Sequence, residues 1–255
     1  MASETDVLLE LKKVTKSYGA TQVIKGLDLQ VAHGEFVGVI GPNGAGKTTA
    51  FGLIAGHLRC DTGAVWLDGK DVTAQAADER CRAGIGRTFQ IPQPFGGLTV
   101  YENALVAATY GAKLPHAEAS AAACDALRRC GLAALGNQQA GGLTLLQRKR
   151  LEVARALATS PKLLLLDEVG GGLTDAEVHE LLELVSEIHA QGVTVLWIEH
   201  LVHALVKVAR RLVVLTDGSL LADGPPGEVI ASRLVRETYL GSELEMEAEV
   251  DHAAG

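Results

Sequence analysis

Apolar and polar positions follow two rhythms along this chain. Over residues 7–40 the period is short. LLELKKVTKSYG and QVIKGLDLQVAHGEFVGVI carry alternating apolar segments broken by glycine-containing turns, and this predicts strands. Phe36–Ile40 is an unbroken apolar run that predicts a buried strand, and it feeds directly into a glycine-rich loop. Thr48–Gly56 reads as helix, with Phe51, Leu53, Ile54 and Ala55 apolar; VWLDGKDV reads as a strand with a tight turn at Asp68–Gly69.

The rhythm changes over residues 99–135. TVYENALVAATYG and HAEASAAACDALRRCGLAAL are alanine-rich and predict a helical lobe inserted into the β-containing core. From Leu143 strand and helix alternate. LQRKRLEVARALAT predicts a helix, KLLLLD a buried strand, DAEVHELLELVSEIHAQG an amphipathic helix stopped at Gly192, and VTVLWIEH a strand. RLVVLTDG and SLLADG predict a β-pair. Alternating βα units imply an α/β fold with a mostly parallel sheet. The last residues, SELEMEAEVDHAAG, are acidic and predict a solvated, disordered tail over 242–255.

Composition narrows the classes. The net charge of −8 and an aromatic content of 4% argue against nucleic-acid binding, which needs a basic face or stacking platforms. The four cysteines, Cys60, Cys81, Cys124 and Cys130, lack C-x-x-C spacing and read as reduced thiols of a cytosolic protein. MASETDVLLELKK has no apolar core of a signal peptide, and VTVLWIEHLVHALVKVA is broken by Glu199, His200, His203 and Lys207, so no spanning segment is expected. Any work at a membrane would pass through a partner.

The chemistry begins at GPNGAGKTT, which satisfies G-x-x-x-x-G-K-[ST] with Gly41, Gly46, Lys47 and Thr48. A loop of small residues (Pro42, Asn43, Gly44 and Ala45 between the glycines) lets main-chain N–H groups face phosphate oxygens, and the helix begun by Thr48 and Thr49 adds its positive end. Lys47 can reach the β- and γ-phosphates of ATP, and the Thr48 hydroxyl can ligate Mg²⁺. LLLLDE supplies an apolar strand ending in acids: Asp167 to hold the Mg²⁺ shell, Glu168 as general base for the attacking water. His200 and His203 are three apart, but with no third ligand nearby they do not read as a metal site.

These motifs, in this order, resemble the nucleotide-binding subunits of ATP-binding cassette transporters over nearly the whole chain. The resemblance implies a P-loop NTPase core with an antiparallel β subdomain and a helical lobe at about 91–160, all within a cassette spanning 1–241. It makes Tyr18 of KSYG the adenine-stacking aromatic. Gln90, at the end of GIGRTFQ, becomes the Q-loop glutamine that senses metal and water, GGLT at Gly171–Thr174 the D-loop, and His200 of WIEH the switch histidine. GxGRTFQ, TVYEN, RLEVARAL and the C-terminal TYLG are most similar to ATPases of branched-chain amino acid importers. The implied partners are a second ATPase subunit, transmembrane permease subunits contacted through the Gln90–Glu102 region with its Pro92 and Pro94, and a periplasmic or extracellular substrate-binding protein. The implied location is the cytoplasmic membrane face. A low-turnover regulatory subunit and an exporter ATPase are the alternatives.

One stretch departs from the family pattern. Where its signature usually reads L-S-G-G-Q, this chain has Leu143, Thr144, Leu145, Leu146 and Gln147. Glycine there would let main-chain donors approach a γ-phosphate and would permit positive φ. Thr144 can still cap the next helix, and Gln147, Arg148, Lys149 and Arg150 are expected to open a basic first turn near phosphate. Either Thr144, Gln147 and the main chain still bind nucleotide, or the leucines block closure. In the family's head-to-tail dimer this loop serves the partner's ATP.

Overall fold

The computed structural model describes residues 7–240, so the expected tail from residue 242 lies outside the described residues. β1 (Val7–Tyr18) and β2 (Thr21–Ala32) form a hairpin, and β3 (Phe36–Ile40) leads through the glycine-rich loop to α1 (Lys47–Ile54). β4 (Thr62–Leu67), β5 (Lys70–Asp71), α2 (Ala77–Ala83) and β6 (Ile85–Arg87) follow. Next come α3 (Val100–Val106), prolonged by one π-helical turn at Ala107–Gly111, then α4 (His116–Arg129) and α5 (Leu145–Leu157). The remainder alternates: β7 (Leu163–Asp167), α6 (Asp175–Ala190), β8 (Thr194–Ile198), α7 (Val202–Val208), β9 (Arg211–Thr216), β10 (Ser219–Gly224), α8 (Pro226–Ala231) and α9 (Arg233–Val235).

The strands sort into two sheets. One is antiparallel, in the order β2-β1-β4-β5; the other has the order β10-β9-β3-β8-β7-β6 and is parallel except for β10. Connection length explains the division. A two-residue turn between Tyr18 and Thr21 can only return the chain antiparallel, whereas parallel neighbours such as β7 and β8 need a long crossover, here through α6.

β3, β7 and β8 are buried along their whole length, and their side chains serve two cores by turns. Phe36, Leu164, Leu166 and Trp197 pack towards α3–α7; Val37, Val39, Leu165 and Ile198 pack towards α1 and the antiparallel sheet. Burial on both faces makes such strands read as continuous apolar runs. In the helical part, Ala104, Ala108, Ala119, Ala123 and Ala126 are all buried, small side chains that let α3 and α4 approach closely.

Three elements depart from the expected layout. β6 lies at the edge of the parallel sheet, pairing Ile85 with Leu163 and Arg87 with Leu165, within a stretch too short and glycine-rich to show alternation. α2 lies in a polar segment with no apolar stripe. β8 ends before Glu199 and His200, as expected, and the added element is α7, which follows them. Among the described residues no helix is long and apolar enough to cross a membrane.

Candidate active site

The loop between β3 and α1 is shaped by what its glycines allow. Gly41, Gly44 and Gly46 take φ of 149°, 81° and 95°. A Cβ on Gly41 would stand 2.0 Å from the Leu215 carbonyl oxygen, and one on Gly46 would stand 2.7 Å from Ile24 Cδ1, so neither position accepts a side chain. Asn43 and Gly44 are exposed at the tip, Pro42 and Thr49 are half-buried, and Ala45 is buried. No side chain caps the start of α1, and its first turn holds no acid. The positive end of the helix therefore faces the loop unopposed. Lys47 is buried and donates from Nζ to the carbonyls of Gly41 (2.6 Å) and Pro42 (3.1 Å), arching over the loop. A cradle with no Cβ at Gly41, Gly44 and Gly46, an uncapped helix start and a lysine fit the phosphate chain of a nucleotide.

Across from it, the Thr48 hydroxyl donates to Asp167 Oδ1 at 3.4 Å. Asp167 ends β7 and is nearly fully buried; Arg87 Nη2, from β6, donates to its Oδ2 at 2.9 Å. Burial pushes the Asp167 pKa up, and the guanidinium opposes that shift. A hydroxyl and one carboxylate match Mg²⁺, which takes few protein ligands and completes its shell with phosphate and water. Among the described residues no cluster of three His, Cys, Asp or Glu side chains could hold a metal by itself.

Glu168, the next residue, has φ of 48°. Its carboxylate is the meeting point of three segments. Gln90 Nε2 donates to Oε2 at 2.5 Å, and His200 Nε2 lies 2.9 Å from Oε1. Such a carboxylate is oriented from both sides and can take a proton from a water placed against it.

The signature segment is resolved differently from expectation in one respect. Thr144 caps α5: its hydroxyl accepts the Gln147 N–H at 3.3 Å, and Gln147 Oε1 accepts the Thr144 N–H at 3.0 Å, a reciprocal capping box. The expected basic turn is not turned out to an anion. Arg148 donates to the Gly141 carbonyl at 3.1 Å, Arg150 pairs with Glu180 at 2.5 Å, and Lys149 is buried and donates to the Gln90 carbonyl at 2.7 Å. Helical periodicity places these residues on different faces, and neighbouring elements offer each a partner. Tyr18, at the end of β1, keeps an exposed ring with Lys16 Nζ 5.8 Å from its centroid.

Sequence reasoning missed Arg87, Glu199 and the inward course of Lys149. Only Glu199 left a trace, as a charge following a fully apolar strand; Asp167 for Arg87, Gln90 for Lys149 and Gly170 for Glu199 are partners distant in the chain.

Comparison with known proteins covers the same ground. The family model described as ABC transporter matches residues 24–170. The chain is 36% identical over 239 residues to the lipopolysaccharide export system ATP-binding protein LptB of Acidithiobacillus ferridurans, covering 94% of this chain and 99% of that protein. It is 34% identical over 247 residues to the probable branched-chain amino acid transport ATP-binding protein LivG of Archaeoglobus fulgidus, covering 92% and 96%. The crystal structure of the ADP conformation of MJ1267, an ATP-binding cassette of an ABC transporter, superposes with a TM-score of 0.84 at 30% identity, covering 92% of this chain and 99% of that one. Proteins of this kind bind ATP with Mg²⁺, hydrolyse it to power transport, dimerise and work with transmembrane permeases. Full-length similarity in sequence and in fold thus joins what the loop and the paired acids already indicate: the chain belongs to the ABC transporter family, as an ATPase cassette.

Proposed function

We propose that this cassette powers a membrane importer for branched-chain amino acids or similar small polar or amphipathic solutes, working at the cytoplasmic membrane face with a second ATPase subunit, permease subunits and an external substrate-binding protein. The observation that carries the chemistry is the convergence of Gln90, Glu168 and His200 beside Asp167 and Thr48. In this reading the Gly41–Thr49 loop holds the phosphates and Tyr18 stacks on adenine. Thr48, Asp167 and Gln90 hold Mg²⁺ and its water. Glu168 takes the proton of the attacking water, Gln90 and His200 keep its carboxylate in place, and the α5 start with Thr144 and Gln147 closes on the partner's nucleotide. The cassette spans 1–241 and its helical lobe about 91–160.

Import is supported by the LivG relative and by RTFQ and RLEVARAL; the similarity to LptB supports a second reading, lipid export. The chemistry is tested by Glu168→Gln. It should retain ATP and favour the closed dimer while turnover falls by roughly 10²-fold or more; Lys47→Ala should instead weaken nucleotide binding itself. Near-normal turnover in Glu168→Gln would remove Glu168 from the role. Cargo is tested on the transporter purified from membranes with its permease: ATP turnover stimulated by an amino-acid-loaded binding protein supports import, and stimulation by lipopolysaccharide alone supports export.

A further inference from the structure

Lys149 lies in the second turn of α5, where a lysine ordinarily reaches solvent, yet it is only 2% exposed. Its ammonium donates to two main-chain carbonyls, those of Gln90 at 2.7 Å and of Glu168 at 3.3 Å. These are the two residues whose side chains also meet each other at the Glu168 carboxylate. Glu199, 4% exposed, acts on the same turn. Its Oε1 accepts the Gly170 N–H at 2.6 Å and the Trp197 indole N–H at 3.2 Å. A Cβ on Gly170 would stand 2.9 Å from that oxygen, so a side chain there would displace the carboxylate from its present contact. The turn that presents Glu168 is therefore held by a buried cation at its first carbonyl and by a buried anion two residues on.

That turn needs holding. Glu168 has φ of 48°, a left-handed region that non-glycine residues enter at a cost and keep only when the surroundings over-determine them. Burying an ammonium is itself expensive, and an aliphatic side chain would fill the same space without that penalty. The lysine spends its donors on the Q-loop and the Glu168 turn, two segments that are 59 and 19 residues away from it in the chain.

We propose that Lys149 is a positioning residue for ATP hydrolysis: it locks the main chain at Gln90 to the main chain at Glu168 and so ties the setting of the Glu168 carboxylate to the placement of α5. Glu199 completes the clamp. The proposal rests on the reading of Glu168 as the general base. It makes α5, which starts at the capped Thr144, a lever on the base: a shift of α5 carries the ammonium, and with it both carbonyls.

The test is Lys149→Met in the full chain purified with its permease partner, with turnover counted per molecule that binds nucleotide. The expected result is a fall in kcat of at least tenfold, with KM for ATP and affinity for ADP within twofold of wild type. A plain packing role would instead reduce the number of binding-competent molecules and leave the rate of each unchanged. A kcat per competent molecule within twofold of wild type, or KM rising by the same factor as kcat falls, overturns the proposal. Should the methionine variant yield no folded protein, Lys149→Gln, whose amide keeps two N–H donors but on a chain one atom shorter and without the charge, is read by the same criteria. Glu168→Gln measured alongside separates the two claims. If it turns over normally, the base assignment fails; if it is inactive while Lys149→Met is active, only the clamp fails.

Discussion

Leu145 and Leu146 stand where the family's second phosphate loop carries glycines, and their backbone shows what they cost. They are the first two residues of α5, and neither is among the non-glycine residues with positive φ. Glycine's conformational freedom is not needed here. Both keep their N–H groups at the open start of the helix, since the capping box engages the N–H of Gln147. Leu145 is 42% exposed, and its Cδ2 lies 3.3 Å from where a Cβ on Gly172 would stand, so it rests against the D-loop. The double change Leu145→Gly, Leu146→Gly should therefore leave phosphate release by the assembled transporter unchanged or lower it, because each glycine costs roughly 0.5–1 kcal/mol in a helix. A severalfold gain in rate would instead show that the leucines impair the partner's site.

At the scale of the element, α1 has a problem that its own sequence does not solve. It is eight residues long, begins with Lys47 of the glycine-rich loop and has no basic residue in its last turn. Arg80, from α2, supplies the missing donors. Its Nη1 donates to the carbonyls of Leu53 (2.5 Å) and Ile54 (2.9 Å), and Nη2 to that of Thr73 (3.0 Å), with the side chain 1% exposed. A cation at the negative end of a helix also complements its dipole. Arg80→Ala would strand buried carbonyls at about 1–3 kcal/mol each. Urea denaturation should show a loss on the order of 3 kcal/mol, together with weaker nucleotide binding as α1 loosens. A loss below about 0.5 kcal/mol, the range of an ordinary surface substitution, would mean that the helix end is held by its other packing.

At the scale of the molecule, the site and the expected permease surface share one wall. Arg87 holds Asp167 with its guanidinium and stacks over Phe89, 5.2 Å from its centroid, beside a groove lined also by Ala107, Glu152, Arg155 and Thr159. Phe89, Ile91, Phe95 and Tyr110 are exposed in this part of the protein. Exposed apolar side chains of this size mark a contact surface when clustered, and three of them, Phe89, Ile91 and Phe95, flank Pro92 and Pro94 within residues 89–95. Phe95→Asp should leave ATP turnover by the isolated chain within about twofold. Burying such a ring is worth about 1.5–3 kcal/mol, so co-purification with the permease should weaken by roughly tenfold or more. Undiminished assembly would move the contact elsewhere.

Much of this was legible in the chain because it is locally encoded. The phosphate loop is a fixed spacing of glycines and a lysine, since adjacent N–H groups make the cradle. β3, β7 and β8 announce themselves as apolar runs because both their faces are covered. The capping of α5 is written in Thr144 and Gln147, three residues apart. The chain order of glycine-rich loop, Gln90, Asp167–Glu168 and His200 pointed to the candidate site through family resemblance. Tertiary structure alone decided the rest. Arg87 finds Asp167 80 residues on, Lys149 finds Gln90 59 residues back, and Arg80 reaches α1 across 27 residues. In a sequence Arg80 and Arg87 read as solvated charges, and Lys149 as part of a basic turn near phosphate. A carbonyl that needs a donor is invisible until packing removes it from water, so which charges are buried, and for which acceptors, was settled only when the helices closed over the sheet.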